Sequence, residues 1–457
     1  MQAVAQDLRV AIIGAGPAGL YAADSLLARD GLANVRVDIF DRLPTPFGLV
    51  RYGVAPDHLS IRSVRDTLDR SLDAPGLRFF GGVEIGDDEG CLALDTLRSH
   101  YDAVICTYGA ATDRPLGIPG EDLPGSISAT DFVRWYTGHP DTDPHAYEQM
   151  LSQARSVAVL GVGNVAVDVA RVLAKTRGEL EHTDMPEHVL SALEASGIQN
   201  IYLIGRRGPA EAAWTTKELR ELGELQDTEV RVDPADLELG PSSAQVVAES
   251  KVAARNVAVV QEWSERERSE RGRLMAIRFY ARPVAIEGDD SGVRRLILER
   301  TRLTDQGAVE GTGEQDAIEV DVVIRSVGYR GTALEGVPFD SGRGVIPNVD
   351  GRVLDGADPV VGLYTAGWIK RGPSGIIGTN KKDAVQTIDS LVADLADGVL
   401  PRRLSDEDIV TRLDADHVDV AGWRRIDAAE RALGATRSRD RTTIHDRSEA
   451  MTIGVAR

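Results

Sequence analysis

The sequence predicts an α/β fold built from two parallel-sheet nucleotide-binding units. Two glycine-rich turns carry that prediction, each set between an apolar strand and an apolar-striped helix. The third observation is the charge closing the strand after each turn, acidic in the first unit and basic in the second.

In the first unit, Val10-Ala11-Ile12-Ile13 reads as a strand, and Gly14-Ala15-Gly16-Pro17-Ala18-Gly19 as the turn. Leu20, Ala23, Leu26 and Leu27 then recur at helical spacing, and Val35, Val37 and Ile39 alternate towards Asp41. A dinucleotide needs close approach between its pyrophosphate and the backbone, and its negative charge suits a helix N-terminus. Gly14 and Gly16 permit the turn and the approach, and Gly19 lets strand and helix pack. Asp41 stands where an acid binds the ribose hydroxyls of the adenosine half.

The second unit repeats this grammar. Val157 to Leu160 form a strand, and Gly161, Gly163, Asn164 and Val165 fall in a turn that ends in Ala166. Ile201 to Ile204 lead to Arg206 and Arg207. A carboxylate there would repel a 2′-phosphate, whereas guanidinium groups pair with one in bidentate fashion. The first site therefore takes a dinucleotide with a free ribose, and the second prefers NADPH. The economical pairing is NADPH with FAD. Residues 176–196 are expected to add a helical excursion between strand and strand.

Downstream, 275–280, 295–299, 320–327 and 362–367 read as strands, residues 264–273 as a charged, solvated stretch, and 384–395 as an amphipathic helix. The last sixty residues are charged and helix-prone, ending in an expected frayed tail.

Composition narrows the function. The chain has 457 residues, 42% hydrophobic and 27% charged, with no apolar run long enough for a membrane helix and no targeting pattern in residues 1–9. The expectation is a soluble, cytoplasmic protein. A net charge of −20 argues against nucleic acid as a partner. Cys91 and Cys106, the only cysteines, form no CxxC pair and read as small buried hydrophobes, so redox chemistry falls to a bound cofactor.

Residues 44–58, Pro-Thr-Pro-Phe-Gly-Leu-Val-Arg-Tyr-Gly-Val-Ala-Pro-Asp-His, resemble the signature of the adrenodoxin-reductase-type ferredoxin–NADP reductases. The likeness continues through 161–168, 205–209, Trp214 to Glu221 and Gly367 to Lys382. It implies a glutathione-reductase-like pair of Rossmann-like domains, with the FAD domain at 1–107 plus 335–457 and the NADP domain, 108–334, inserted in it. By position, Ala18, Asp41, Leu49, Ile85, Trp368, Gly375, Ile376 and Ile377 would contact FAD. Asn164, Arg206, Arg207 and Glu218 would contact NADPH. His58 and Glu218 match a polar pair near nicotinamide and flavin.

The resemblance further implies hydride transfer from NADPH to FAD and single-electron delivery to an iron–sulfur ferredoxin. Alternatives are an NADPH-dependent diaphorase with a small-molecule acceptor and a non-catalytic nucleotide sensor. Arg51, Lys370 and Arg371 are candidates for partner docking, for holding phosphate, or for pairing with carboxylates. Trp214 is assigned packing.

Overall fold

The computed structural model describes residues 7–32, 34–267, 272–413 and 416–456. The expectation for residues 1–9 lies mostly outside that range, as does part of the charged stretch, 268–271; its residues 265–267 are exposed beyond a helix ending at Ser264.

The chain divides into two compact units. One comprises 1–112, 137–141 and 329–457, the other 113–136 and 142–328. The crossings thus lie several residues from 107/108 and 334/335, and residues 137–141 return to the first unit. That return is a small clasp. Thr137 Oγ1 donates to the Tyr52 carbonyl at 3.2 Å, and the His139 ring packs 5.0 Å from that of Tyr52. Asp141 pairs with Arg42 at 2.5 Å and Arg447 at 2.8 Å.

The first unit is built on a seven-stranded sheet. Its order runs Asn348–Val349, Arg352–Asp355, Asp358–Thr365, Ala103–Cys106, Leu8–Ile13, Val35–Asp41, Leu77–Gly81. Five strands are parallel, and the pair at one edge is antiparallel. Both ends of the chain therefore build one sheet, with Leu363 beside Val104 and Val10 beside both Val37 and Ala103. Val10 and Ile12 are wholly buried because helices cover both faces of a parallel sheet.

In the second unit, Ser156–Leu160 lies between Asn200–Ile204 and Val322–Arg325 in a six-stranded parallel sheet. A three-stranded antiparallel sheet, Ala281–Asp289, Gly292–Leu303 and Val309–Glu319, joins it. The excursion after the second turn is helical at Arg177–Leu180 and Glu187–Glu194. Trp214 is core, with its ring edge-on to Phe279 at 5.8 Å.

The frayed tail is a correction. Arg447–Val455 is a helix packed on Val420–Ala435, with Arg425 Nε donating to the Ile453 carbonyl at 3.1 Å. Asp446 caps it through the Glu449 N–H at 2.7 Å, which offsets the fraying expected of a free end.

Candidate functional site

In both sheets the fingerprint turn leaves the carboxyl end of a strand flanked by neighbours on either side, where a doubly wound fold opens its crevice. Gly14 has φ +108°, and a Cβ there would lie 2.8 Å from the Tyr108 Cα. A Cβ on Gly19 would lie 2.8 Å from Thr107 Oγ1 and closer still to the Gly14 carbonyl. Around Gly16 nothing lies within 4 Å of a Cβ position. Two glycines are packed shut and the middle one faces open space, as a pyrophosphate lying on the helix Pro17–Leu27 requires.

Two further segments converge there. Phe47 N–H donates to the Ala15 carbonyl at 2.8 Å, and Gly48 approaches Gly16. Gly367 abuts Ala18, with a Cβ position 2.6 Å from that of Ala18. Phe47 is wholly buried and holds φ +85°, a conformation a bulky residue adopts only under strong constraint. Leu49 opens the helix Leu49–Tyr52, and Ile85 is buried. Trp368 starts a short helix; its Nε1 is buried with no hydrogen-bond partner among the described residues, a donor left over for a ligand acceptor. Gly375 (φ +82°) and exposed Ile376 lead into the twenty-residue helix Ile377–Ala396. These residues fit FAD.

Asp41 accepts the Ala15 N–H at 2.8 Å and the Leu43 N–H at 2.9 Å. Burial raises its carboxyl above the usual range, and the two N–H groups oppose that. The acid therefore ties the turn together and retains lone pairs for a further donor. His58 is buried at the head of the helix Leu59–Arg62.

The second turn differs at its third position. Ala166 is wholly buried and its Cβ sits 3.6 Å from a Cβ position on Gly161, so the methyl group fits. Gly163 faces open space as Gly16 does. Asn164 and Val165 begin the helix Asn164–Ala174, and Asn164 Oδ1 accepts the Thr215 N–H at 3.0 Å. Arg206 and Arg207 are exposed, and neither guanidinium pairs with any carboxylate among the described residues. Their backbone is fixed, since the carbonyls accept from Thr301 Oγ1 at 2.8 Å and Tyr280 N–H at 3.1 Å. Glu218 is buried within a capping box: Thr215 Oγ1 donates to its carboxylate at 2.9 Å, and its N–H donates back at 3.3 Å. The Thr-x-x-Glu spacing at 215–218 was the available sequence signal. His58 and Glu218 belong to different units.

The three docking candidates pair with carboxylates. Arg51 is buried against Glu430, with one N–H···O bond of 3.0 Å, and Glu430 also takes Arg441 at 3.2 Å and the Ile444 N–H at 2.9 Å. Burial would lower the Arg51 basicity, but Glu430 outweighs it and raises it. Lys370 Nζ lies 2.9 Å from Asp383, and Arg371 lies 3.2 Å from the same residue. Asp383, which also accepts the Gly367 N–H, had no signal in the sequence. Cys91 is half-buried rather than buried, and burial pushes the Cys106 thiol up to about 12. No helix among the described residues is long and apolar enough to cross a membrane.

Residues 8–207 match the pyridine nucleotide-disulphide oxidoreductase family. The chain is 42% identical over 465 residues to the NADPH-ferredoxin reductase FprA of Mycobacterium tuberculosis, covering 98% of this chain and 99% of that protein. It is 39% identical to the mitochondrial NADPH:adrenodoxin oxidoreductase of Arabidopsis thaliana, covering 97% and 94%. A solved structure of M. tuberculosis FprA in complex with NADPH matches with a TM-score of 0.90 at 41% identity, covering 99% of this chain and all of that one. With both fingerprints in place, the chain belongs to the adrenodoxin-reductase-type ferredoxin–NADP reductases.

Proposed function

We propose that this protein transfers electrons from NADPH, through FAD, to an iron–sulfur ferredoxin. The observation that carries the reading is the charge contrast after the two turns: Asp41 already bonded to its own turn, Arg206 and Arg207 exposed and unpaired among the described residues. The ferredoxin acceptor is supported by the names of the full-length relatives.

Arg206 and Arg207 grip the 2′-phosphate, and the N–H groups at Gly163, Asn164 and Val165, at the head of the second fingerprint's helix, receive the pyrophosphate. Ala18, Asp41, Leu49, Ile85 and Trp368 hold FAD. The chemistry that bound FAD would supply is acceptance of a two-electron hydride and release of single electrons. The helix starting at Ile377, introduced by Gly375 and Ile376, would hold bound FAD near its positive end and favour negative charge there. His58 and Glu218 position the reacting rings, since hydride transfer itself needs no protein base. A cytoplasmic setting belongs to the same reading, and cell fractionation tests it.

The direct test is reduction of a purified iron–sulfur ferredoxin, followed by its visible spectrum, with NADPH and then NADH as donor. Fast, salt-sensitive reduction that prefers NADPH is expected. A yellow protein that oxidises NADPH with dyes and leaves ferredoxins oxidised would replace this reading with a diaphorase; one that never turns over would leave a nucleotide sensor.

A further inference from the structure

The turn Ala213–Thr216 is bonded from two sides. On one side it meets the second fingerprint: Ala213 N–H donates to the Val162 carbonyl at 3.0 Å, and Thr215 N–H donates to Asn164 Oδ1 at 3.0 Å. On the other side stands Asn256, on the helix Lys251–Ser264, only 2% exposed. Its amide uses both ends on this one turn. Nδ2 donates to the Trp214 carbonyl at 3.2 Å, and Oδ1 accepts the Thr216 hydroxyl at 2.6 Å.

The consequence reaches Asn164. With its oxygen held by Thr215, its Nδ2 has no partner among the described residues and stands at the head of a helix beside open Gly163. An amide fixed in this sense offers donors to a nucleotide. Released from Thr215 it can turn over and offer an acceptor, which repels phosphate oxygen.

We propose that Asn256 is a positioning residue for NADPH: by clamping the Ala213–Thr216 turn, it locks Asn164 with its donors facing the middle of the dinucleotide. The proposal rests on the NADPH reading above. Asn256 touches no part of the nucleotide in this account, and its effect passes through Thr215.

The test is calorimetric titration of the holoenzyme with two ligands. NADP+ spans the whole site, whereas 2′,5′-ADP carries the phosphate that Arg206 and Arg207 read but lacks the pyrophosphate bridge and nicotinamide. Asn256→Ala is expected to weaken NADP+ about five- to thirtyfold, the size of one or two lost hydrogen bonds. Binding of 2′,5′-ADP should stay within about twofold on the same scale. Thr216→Ala, which removes the hydroxyl that Asn256 Oδ1 accepts, should show the same split, and Thr216→Ser should restore NADP+ binding; this pair decides the matter should Asn256→Ala fail to fold. Unchanged NADP+ affinity, or parallel loss of both ligands, would overturn the proposal. A wild-type holoenzyme that bound neither ligand would defeat the NADPH reading itself.

Discussion

The two fingerprint turns share a backbone plan and differ in how far the protein completes them without a ligand. At the first, Gly19 is pressed against the Gly14 carbonyl and Thr107, and Asp41 spends an oxygen on each of two backbone N–H groups. Segments from 47–49 and 367–368 close over it. At the second, Ala166 has room for its methyl group, and two arginines stand in solvent with no carboxylate among the described residues to neutralise them. A site that is bonded to itself and roofed suits a resident cofactor. One that leaves exposed charge suits a ligand that comes and goes, because exposed guanidinium groups are cheap to keep unpaired and gain only when phosphate arrives.

The sharpest way to break the comparison is to exchange the third residues. Gly19→Ala should abolish retention of FAD, read as loss of visible absorbance in the purified protein; full retention would show that the tight contact carries no weight. The next largest effect concerns the roof. Glu430→Gln leaves Arg51 and Arg441 buried beside an uncharged partner and should destabilise the holoenzyme by about 3–5 kcal/mol in urea unfolding. A loss below about 1 kcal/mol would mean that this network is dispensable.

Ala166→Gly should be mild, about 1 kcal/mol from helix propensity, with NADPH still bound. Smallest is the clasp. Burial works to raise the Asp141 carboxyl, but Arg42 and Arg447 outweigh it and hold it below the ordinary range. A depressed carboxyl stabilises the fold above its unfolded value, about pH 4, and stops doing so as pH falls through the folded value. Asp141→Asn should therefore lower stability by under about 1 kcal/mol at neutral pH, the half-exposed setting limiting it. Variant and parent should draw together in parallel unfolding curves as pH falls below the unfolded carboxylate value. A constant gap across that range would assign the loss to packing instead.

What could be read from the sequence was local. Strand, glycine turn, helix and terminal charge lie within about thirty residues of one another in the first unit and about fifty in the second, close enough for period and motif to suffice for both fingerprints. The helical excursion at 176–196 was read from a polar stretch lying between two strands. What escaped depends on partners far along the chain. Arg51 meets Glu430, and Asp141 meets Arg447, through folding alone. The C-terminal helix looked frayed because charge marks exposure, yet Arg425 and Asp446 use that charge to hold it. Asn256 gave no signal, since a single asparagine in an amphipathic helix is ordinary until its amide is seen to grip a turn.

The contrast between the two turns is tested most directly by anaerobic reduction of the bound flavin, in the parent and in the double variant Arg206→Gln/Arg207→Gln, with NADPH and NADH. The account predicts that the variant loses about 30- to 100-fold in the apparent affinity for NADPH, the size of lost charge-assisted hydrogen bonds, and little for NADH. Equal losses for the two donors would contradict it, since the arginines would then be holding the fold or the common part of the nucleotide rather than the 2′-phosphate.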